Sequence, residues 1–355
     1  MYGIESIGIT NLRNLNKIKP DILPLEAFII QTLIMIVVDN GINSRDLKYL
    51  KWIETKLKEN VIKQFEYSKF KDIKEIGRGG HGIVNYANYC GTEIVLKSID
   101  LKSIDKGIKT FVNELKQLIT VKDCQNVIKV LGITSDSTAS NSINFPNIMV
   151  LQFANNGNLS NYLRDKVCDG YFTISWLELV QIARQITLGL QSLHDNSIIH
   201  GDLHPNNILI NNNEVLIADF GVARKTGDSL ISSGSNSSIQ GIQAYVEPQC
   251  FIQYDKIVKI DEKSDIYSLG VLLWELTSGH PPFLSFCNKA AIPIHVALGH
   301  REKSVPGTPS GYVKLYKKCW DTEPERRPTI SKILRRFNKL SEKVKVDVIK
   351  NKISN

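Results

Sequence analysis

The sequence predicts an α+β fold in two lobes, from its length and from a change of pattern along the chain. The 355 residues, of which 42% are hydrophobic, suffice for one two-lobed domain with flanking segments. Residues 83–97 have the pattern of two strands around a turn at Cys90 and Gly91. Residues 111–118 then place apolar side chains at helical spacing. We therefore expect strands followed by one helix in the first part of the main domain.

Composition and pattern divide the chain into four segments. These are an N-terminal segment of unknown role at 1–42, an amphipathic helical lead-in at 43–69, a main domain at 70–340 with lobes at about 70–153 and 154–340, and a basic tail at 341–355. Asn43 is the expected N-cap of the lead-in helix, since apolar residues follow it at spacings of three and four. The Lys-rich tail is expected to be solvated or to form a frayed helix.

Composition also bears on compartment and partners. The net charge is +8, but Lys and Arg are spread along the chain, so we expect no nucleic-acid partner. The apolar run from Phe28 to Val38 is too short to span a bilayer, so a buried helix or strand is expected there and no membrane contact. The six cysteines lie far apart without a Cys-x-x-Cys pair, which indicates a reducing, intracellular and cytoplasmic setting.

A glycine-rich string, IGRGGHGIV, occupies residues 76–84. The same spacing of glycines opens a dinucleotide-binding βαβ unit, but there a helix should follow, whereas β-prone residues follow here. A glycine loop between two strands brings its backbone amides against phosphates. Val84 is then expected to lie over the adenine of a nucleotide.

Lys97 ends an otherwise apolar strand segment, where an inward-pointing cation needs an anionic partner. One interpretation is an exposed lysine at a strand end. The other is a lysine that binds the α and β phosphates and pairs with Glu114, which lies beside the apolar face of the 111–118 helix. A further buried strand at 147–157 breaks at polar residues and a glycine, as a nucleotide-binding hinge would.

Two strings in the second half carry the chemistry: HGDLHPNN at residues 200–207 and DFG at 219–221. With the features above, in the same order, they resemble a eukaryotic protein kinase domain over residues 70–340. The second half most resembles the tyrosine-kinase-like group, most of whose members phosphorylate Ser or Thr. The resemblance implies a bilobal α+β kinase fold, with a small β-rich N-lobe holding one major helix and a larger, mostly helical C-lobe.

The resemblance also implies a role for each matching residue. Asp202 would be the catalytic base, supported by Lys97, Glu114 and Asn207, while Asn207 and Asp219 would bind Mg²⁺. Asp265, in the expected central helix at 263–276, would anchor the catalytic loop. The residues expected to bind ATP are Ile76, Gly77, Gly79, Gly82, Val84, Val95, Lys97, Leu151, Gln152, Phe153, Ala154 and Leu209.

The sequence departs from the family pattern at several positions. Gly201 stands in place of the arginine that gathers an activation-loop phosphate in many kinases, so we expect activity that does not depend on that phosphate. His204 replaces a lysine that contacts the transferred phosphate, and Val95 replaces a small alanine. Gln249 replaces the glutamate of Ala-Pro-Glu, so the pair that this glutamate makes with an arginine equivalent to Arg327 is expected to be lost.

The leading hypothesis is therefore an Mg²⁺-dependent protein kinase that transfers the γ-phosphoryl group of ATP to Ser or Thr of protein substrates. The alternative is a pseudokinase that acts as a nucleotide-binding scaffold or interaction module. A zinc site at His200 and His204 is a weaker alternative, because Pro205 opposes the helix that such spacing requires. The Ser- and Gly-rich stretch 227–241 is expected to be a flexible, solvated loop, with a regulatory phosphorylation site as the alternative.

Overall fold

The structure is a computed structural model that describes most of the main domain and its lead-in. The described residues are 44–79, 82–98, 104–136, 147–226, 231–232, 242–253, 257–343 and 346–353. The expected helix or strand at 28–38 and the expected N-cap Asn43 lie outside them. So does most of the 227–241 loop, of which only Ile231–Ser232 is described, as a short strand.

Fourteen strands and nine helices occur in the described residues. The strands are β1 (Phe70–Gly79), β2 (Gly82–Tyr89), β3 (Thr92–Ser98), β4 (Val130–Thr134), β5 (Ile148–Gln152), β6 (Val167–Cys168), β7 (Tyr171–Ser175), β8 (Ile198–Ile199), β9 (Ile208–Asn211), β10 (Glu214–Ile217), β11 (Arg224–Lys225), β12 (Ile231–Ser232), β13 (Ile257–Val258) and β14 (Val348–Lys352). The helices are α1 (Ser44–Lys58), α2 (Ile104–Thr120), α3 (Leu159–Asp165), α4 (Trp176–Asp195), α5 (Gln249–Ile252), α6 (Glu262–Ser278), α7 (Ile292–Ala297), α8 (Ser310–Cys319) and α9 (Ile330–Lys343).

The chain forms two compact units. The first comprises the residues up to Val112 together with Leu131–Leu151, and the second comprises Asn113–Val130 together with the residues from Gln152 onward. The predicted lobe boundary near residue 153 lies next to the observed one. Residues 113–130 were predicted to lie in the small lobe but group with the second unit, where Ile128 N–H donates to the Ile217 carbonyl at 2.9 Å.

The first unit is built on a five-stranded sheet in the order β1-β2-β3-β5-β4. Strands β2 and β3 are antiparallel and are joined at Cys90 and Gly91, which both have positive φ. Such a turn matches the twist of the strands that it connects. The predicted hairpin, turn and strand are confirmed. One face of the sheet is covered by a core of seven apolar side chains: Phe65, Phe70, Ala87, Ile94, Leu96, Ile148 and Val150.

The lead-in is part of the first unit. Helix α1 buries Leu50 and Ile53, as its apolar spacing predicts, but ends at Lys58, well before residue 69. The chain then follows edge strand β4: Ile133 N–H donates to the Lys63 carbonyl and Phe65 N–H to the Ile133 carbonyl, both at 2.9 Å. Because a Cβ at Gly132 would lie 2.1 Å from the Lys63 carbonyl oxygen, only glycine allows this approach. The lead-in thus covers a sheet edge that would otherwise be unpaired.

Helix α6 forms the centre of the second unit. Asp261 caps its N-terminus by accepting from Lys263 N–H, with Ser264 completing a capping box. Every residue from Ser264 to Ser278 is buried, which confirms the predicted central helix. A helix that is buried on all sides is a rigid element, so the polar side chains that it carries have fixed positions.

The C-terminal stretch is not a solvated tail, and that prediction is wrong for residues 348–352. Strand β14 pairs with β7 in an antiparallel ladder that joins Val348 to Ser175 and Lys352 to Tyr171. Ile349 is only 1% exposed, and Asn351 donates to the Ser278 carbonyl at 2.8 Å. The Lys residues hid this strand in the sequence. They occupy positions on it that are largely solvated, while Ile349 points into the core.

Ile349→Ala is expected to lower the free energy of unfolding by about 2–4 kcal/mol, because it leaves a cavity in a fully buried site. The neighbouring Val348 is 49% exposed, so Val348→Ala is the matched control and is expected to cost less than about 1 kcal/mol. Urea unfolding of both variants measures the difference. Equal effects of the two substitutions would contradict the pairing of β14 with β7.

Among the described residues, none of the helices has the length and apolar character needed to cross a bilayer.

Candidate active site

The string HGDLHPNN lies between β8 and β9, and helix α6 holds it through the side chain of Asp265. Asp265, which is fully buried, accepts from the backbone N–H groups of His200 and Gly201, both at 2.9 Å, and contacts His194 Nε2 at 2.8 Å. Both carboxylate oxygens are thus occupied by groups of the loop and of helix α4. This geometry agrees with the anchoring role that the resemblance implied for Asp265.

The environment of Asp265 favours its charged form. Burial opposes ionisation, but the hydrogen bond and charge of His194, the charge of His200 and the N–H of Gly201 together hold the pKa of this carboxyl below its usual value. The carboxylate is therefore charged at neutral pH, and it fixes the backbone at the start of the loop.

Asp202, His204 and Asn207 come together at the end of the loop. Asn207 Nδ2 donates to the Asp202 carbonyl at 2.9 Å and lies 3.4 Å from Asp202 Oδ2. His204 Nε2 lies 3.2 Å from Asn207 Nδ2 and 3.5 Å from Asp202 Oδ2. Since the amide nitrogen of Asn207 is engaged inside the loop, its oxygen is left to face a ligand.

Asp219 is placed beside this loop by the backbone. Ala218 N–H donates to the Asn207 carbonyl at 2.9 Å, so Asn207 and Asp219 sit on adjacent segments. Asp219 has a φ of 62°, in the left-handed region that Asp and Asn adopt more readily than other non-glycine residues. Next to it, Phe220 packs edge-on against His200 with ring centroids 5.4 Å apart. His200 and His204 have different partners, since His200 Nε2 contacts the Ala218 carbonyl at 3.0 Å.

The first unit gathers several of the predicted ATP-binding residues on one sheet face. Val84 is the ladder partner of both Gly77 and Lys97, so these three positions form a row across β1, β2 and β3. Val95 precedes Lys97 by two positions and shares its face. Lys97 is 7% exposed, which removes the interpretation of an exposed lysine at a strand end. The remaining predicted residues here are Ile76, Gly79 and Gly82 on the glycine-rich strands and the buried Leu151 on β5.

The other predicted residues lie in the second unit. Glu114, on helix α2, is 3% exposed. Gln152 N–H donates to the Lys129 carbonyl at 3.0 Å, and Phe153 and Ala154 follow directly. Leu209 lies on β9 and forms an isolated bridge with Asn158 just beyond them. The hinge residues and Leu209 are thus held in one region of this unit.

Gly201 adopts a φ of 75°, which suits glycine better than any other residue. A Cβ built there would lie 3.6 Å from Nη2 of Arg224 on β11. The space that an arginine at 201 would enter therefore already borders a guanidinium group of the same charge. The loop lacks the family's arginine at position 201, but the guanidinium of Arg224 places a positive charge close to the same position.

Gln249 does not pair with Arg327, as expected, but Arg327 has a carboxylate partner that was not predicted. Arg327 binds Glu247 with two hydrogen bonds, Nη1 to Oε2 at 2.5 Å and Nη2 to Oε1 at 2.9 Å. The carboxylate that binds Arg327 therefore stands at position 247, before Pro248, and not at position 249, after it. Gln249 instead donates from Nε2 to the Thr322 carbonyl at 3.1 Å. The signal for this pair in the sequence is the charge of Glu247, which stands directly before Pro248.

A second buried contact was not predicted. Tyr245 donates a hydrogen bond to Glu275 of helix α6, and the Tyr245 ring lies edge-on to His204 with centroids 6.3 Å apart. Burial raises the pKa of Glu275 to about 7, although the bond from Tyr245 lowers it. Burial and the neighbouring Glu275 also raise the pKa of Tyr245 well above its usual value. The phenol therefore remains a donor at all physiological pH values.

Glu275→Gln is expected to remove a pH dependence of stability. The folded-state pKa of about 7 lies above the unfolded value, so the folded chain binds the extra proton and wild-type stability falls as pH rises from about 4.5 to 7. The variant should lack this fall, which amounts to about 3 kcal/mol across that window.

The measurement is the difference in unfolding free energy between wild type and Glu275→Gln, taken by urea titration at about pH 5 and about pH 8. The control is Glu325→Gln, which removes an exposed carboxylate and is expected to change the unfolding free energy by less than about 0.5 kcal/mol. A difference that stays constant between the two pH values for Glu275→Gln would contradict the assigned pKa.

Comparison with known proteins agrees with this geometry. The model of the protein tyrosine and serine/threonine kinase family matches residues 70–337. The chain therefore belongs to the protein tyrosine and serine/threonine kinase family, as the motifs predicted. The match also confirms the bilobal α+β kinase fold.

Similar proteins include kinases of both substrate classes. A probable serine/threonine-protein kinase of Dictyostelium discoideum is 29% identical over 276 residues, which cover 74% of this chain and 14% of that protein. Serine/threonine-protein kinase STY17 of Arabidopsis thaliana is 27% identical over 79% of this chain and 46% of its own length. The megakaryocyte-associated tyrosine-protein kinase of Mus musculus is 28% identical, with shares of 75% and 48%. The chain thus spans less than half of each of these three relatives.

Proposed function

We propose that this chain is an active protein kinase that transfers the γ-phosphoryl group of ATP to Ser or Thr hydroxyls of protein substrates and requires Mg²⁺. The observation that carries the proposal is the arrangement of Asp202, His204 and Asn207 on a loop fixed by Asp265. A fixed loop matters because phosphoryl transfer depends mainly on positioning and on charge stabilisation.

The donor set of the second unit fits a magnesium ion. The free oxygen of Asn207 and the carboxylate of Asp219 are hard oxygen ligands, which Mg²⁺ prefers, and the Ala218 to Asn207 hydrogen bond ties their segments together. Mg²⁺ bound there would neutralise charge on the phosphates.

The residues of the first unit fit a triphosphate. Lys97 is a buried cation on the same sheet face as Val84 and Val95, so an anion and an apolar ring system could both be bound along that face. The backbone of the glycine-rich strands supplies N–H donors for the phosphates. A Cβ at Gly79 would meet no atom within 4 Å, which leaves that backbone open to approach.

In the proposed mechanism Asp202 accepts the proton of the substrate hydroxyl and orients it for attack. Its carboxylate is within reach of His204 and Asn207, and these contacts limit its rotation. Lys97 would hold the α and β phosphates and Glu114 would orient Lys97. Because Gly201 replaces the phosphate-gathering arginine, we propose that activity does not require a phosphorylated activation loop.

The choice of Ser/Thr over Tyr remains part of the proposal. It follows from the string HGDLHPNN, in which Pro205 begins a 3₁₀ turn that ends at Asn207. All six cysteines are free in the structure, which supports the proposed reducing, cytoplasmic setting.

The test is transfer of radiolabelled phosphate from ATP to a generic Ser/Thr substrate by wild type and by Lys97→Met. The matched control is Lys71→Met, which removes an exposed lysine from β1 of the same sheet. We expect transfer by wild type and the control and a large loss in Lys97→Met. Transfer to tyrosine alone would overturn the substrate class. Nucleotide-dependent thermal stabilisation of wild type without transfer would favour the pseudokinase.

A further inference from the structure

We propose that Glu247 is the positioning residue of the substrate loop, defined as Ile242–Pro248, and that it acts through Arg327 in place of the missing carboxylate at position 249. The inference rests on the proposed kinase function and names one device on which that function depends.

The pair between Glu247 and Arg327 is buried and complete. The two side chains are 3% and 0% exposed. Besides the two bonds to Glu247, Arg327 donates from Nε to the Asp321 carbonyl at 2.8 Å, from Nη1 to the Lys263 carbonyl at 2.8 Å and from Nη2 to the Thr322 carbonyl at 3.2 Å. A guanidinium has five N–H donors, so all of them are used.

Because every N–H of Arg327 already has a partner, the anchoring role belongs to Glu247 alone. A carboxylate at position 249 would find no N–H of Arg327 without a partner. It would also face the Thr322 carbonyl oxygen that Gln249 now binds as a donor. Glu247 in addition accepts from Gln249 N–H at 3.1 Å, so its carboxylate joins Arg327 to the start of helix α5.

The substrate loop packs against the catalytic loop, so the anchor at Glu247 also bears on the position of the catalytic loop. Upstream of Glu247, Ser268 Oγ donates to the Tyr245 carbonyl at 2.7 Å, and Tyr245 donates to Glu275. The ring of Tyr245 contacts His204, which lies within reach of Asp202. The loop is therefore fixed at its middle, by Tyr245, and near its C-terminal end, by Glu247, beside the residue proposed to receive the substrate proton.

Loss of the Glu247 charge would leave the guanidinium of Arg327 buried without its anion, and the C-terminal end of the substrate loop would be released. Peptide binding should suffer, because the loop borders the site of the substrate hydroxyl. Nucleotide binding should not, because none of the residues proposed to hold ATP contacts Glu247 or Arg327 through any of these bonds.

The experiment compares steady-state kinetics of full-length wild type, Glu247→Gln and Gln249→Ala, with KM measured separately for a peptide and for ATP. Glu247→Gln keeps the shape of the side chain and removes only the charge. We expect its kcat/KM for peptide to fall more than about tenfold through a raised peptide KM, with the ATP KM within about twofold of wild type. Gln249→Ala should stay within about threefold of wild type in both.

The inference is overturned if Glu247→Gln keeps the peptide kcat/KM within about threefold of wild type, or if its ATP KM rises as much as its peptide KM. It is also overturned if Gln249→Ala matches Glu247→Gln. If Glu247→Gln does not fold, Glu247→Asp takes its place, since it keeps the charge on a shorter side chain and should raise the peptide KM alone. A wild type without any phosphate transfer would overturn the proposed function itself, and this inference with it.

Discussion

Asp202→Asn is expected to lower phosphate transfer by on the order of 10²–10⁴-fold while leaving the fold intact. The substitution is isosteric, and the bond that ties the loop together runs from Asn207 to the Asp202 carbonyl rather than to its side chain. What disappears is the carboxylate that can take up the hydroxyl proton, since an amide has no comparable basicity. The measurement is the single-turnover rate of phosphate transfer at saturating ATP.

The matched control is Asp195→Asn, which removes an exposed carboxylate at the end of helix α4. It should transfer phosphate at the wild-type rate. Thermal stabilisation by ATP with Mg²⁺ should be the same for wild type and both variants, because neither position is proposed to bind nucleotide. A transfer rate of Asp202→Asn within about tenfold of wild type would exclude Asp202 as the base.

Asp265→Ala is expected to lower the free energy of unfolding by about 3–5 kcal/mol, the largest stability loss that we expect. It leaves two backbone N–H groups and His194 without their common acceptor in a fully buried site. The catalytic loop would lose its fixed start, so transfer should fall as well. Urea unfolding followed by the transfer assay measures both effects on one preparation.

Glu262→Ala is the control for Asp265→Ala, since Glu262 lies in the first turn of the same helix but is only partly buried. It should cost less than about 1 kcal/mol.

The sign of the pH effect gives a second check on Asp265→Ala. The pKa of Asp265 is lowered in the folded state, so its contribution is present above the ordinary Asp pKa and is lost as pH falls through the folded value. The gap between wild type and Asp265→Ala should therefore narrow in acid, and a gap that widened would contradict the assigned direction.

Local patterns in the sequence predicted the elements that depend on local physics. The turn at Cys90 and Gly91, the strand that ends near Lys97 and the buried helix around Asp265 each follow from residues close together in the chain. Short-range spacing is enough in these cases, because strand alternation and helical periodicity repeat within a few residues.

The contacts that were missed join residues that lie far apart in the sequence. Glu247 and Arg327 are 80 residues apart, and Tyr245 and Glu275 are 30 apart. No periodicity connects such positions, and the family pattern places the carboxylate after Pro248, whereas in this chain it stands before Pro248. Strand β14 was missed for a related reason: its partner β7 lies far upstream, and its lysines obscured the apolar position at Ile349.

The second unit cannot complete its folding during synthesis until strand β14 has been made. Its partner β7 has left the ribosome long before residues 348–352 are made, on the order of ten seconds or more at usual elongation rates. During that interval one edge of β7 is unpaired and the Trp176 N–H lacks the Asp347 carbonyl that it binds in the finished fold. The nascent chain therefore carries an exposed strand edge for most of the translation of its larger unit.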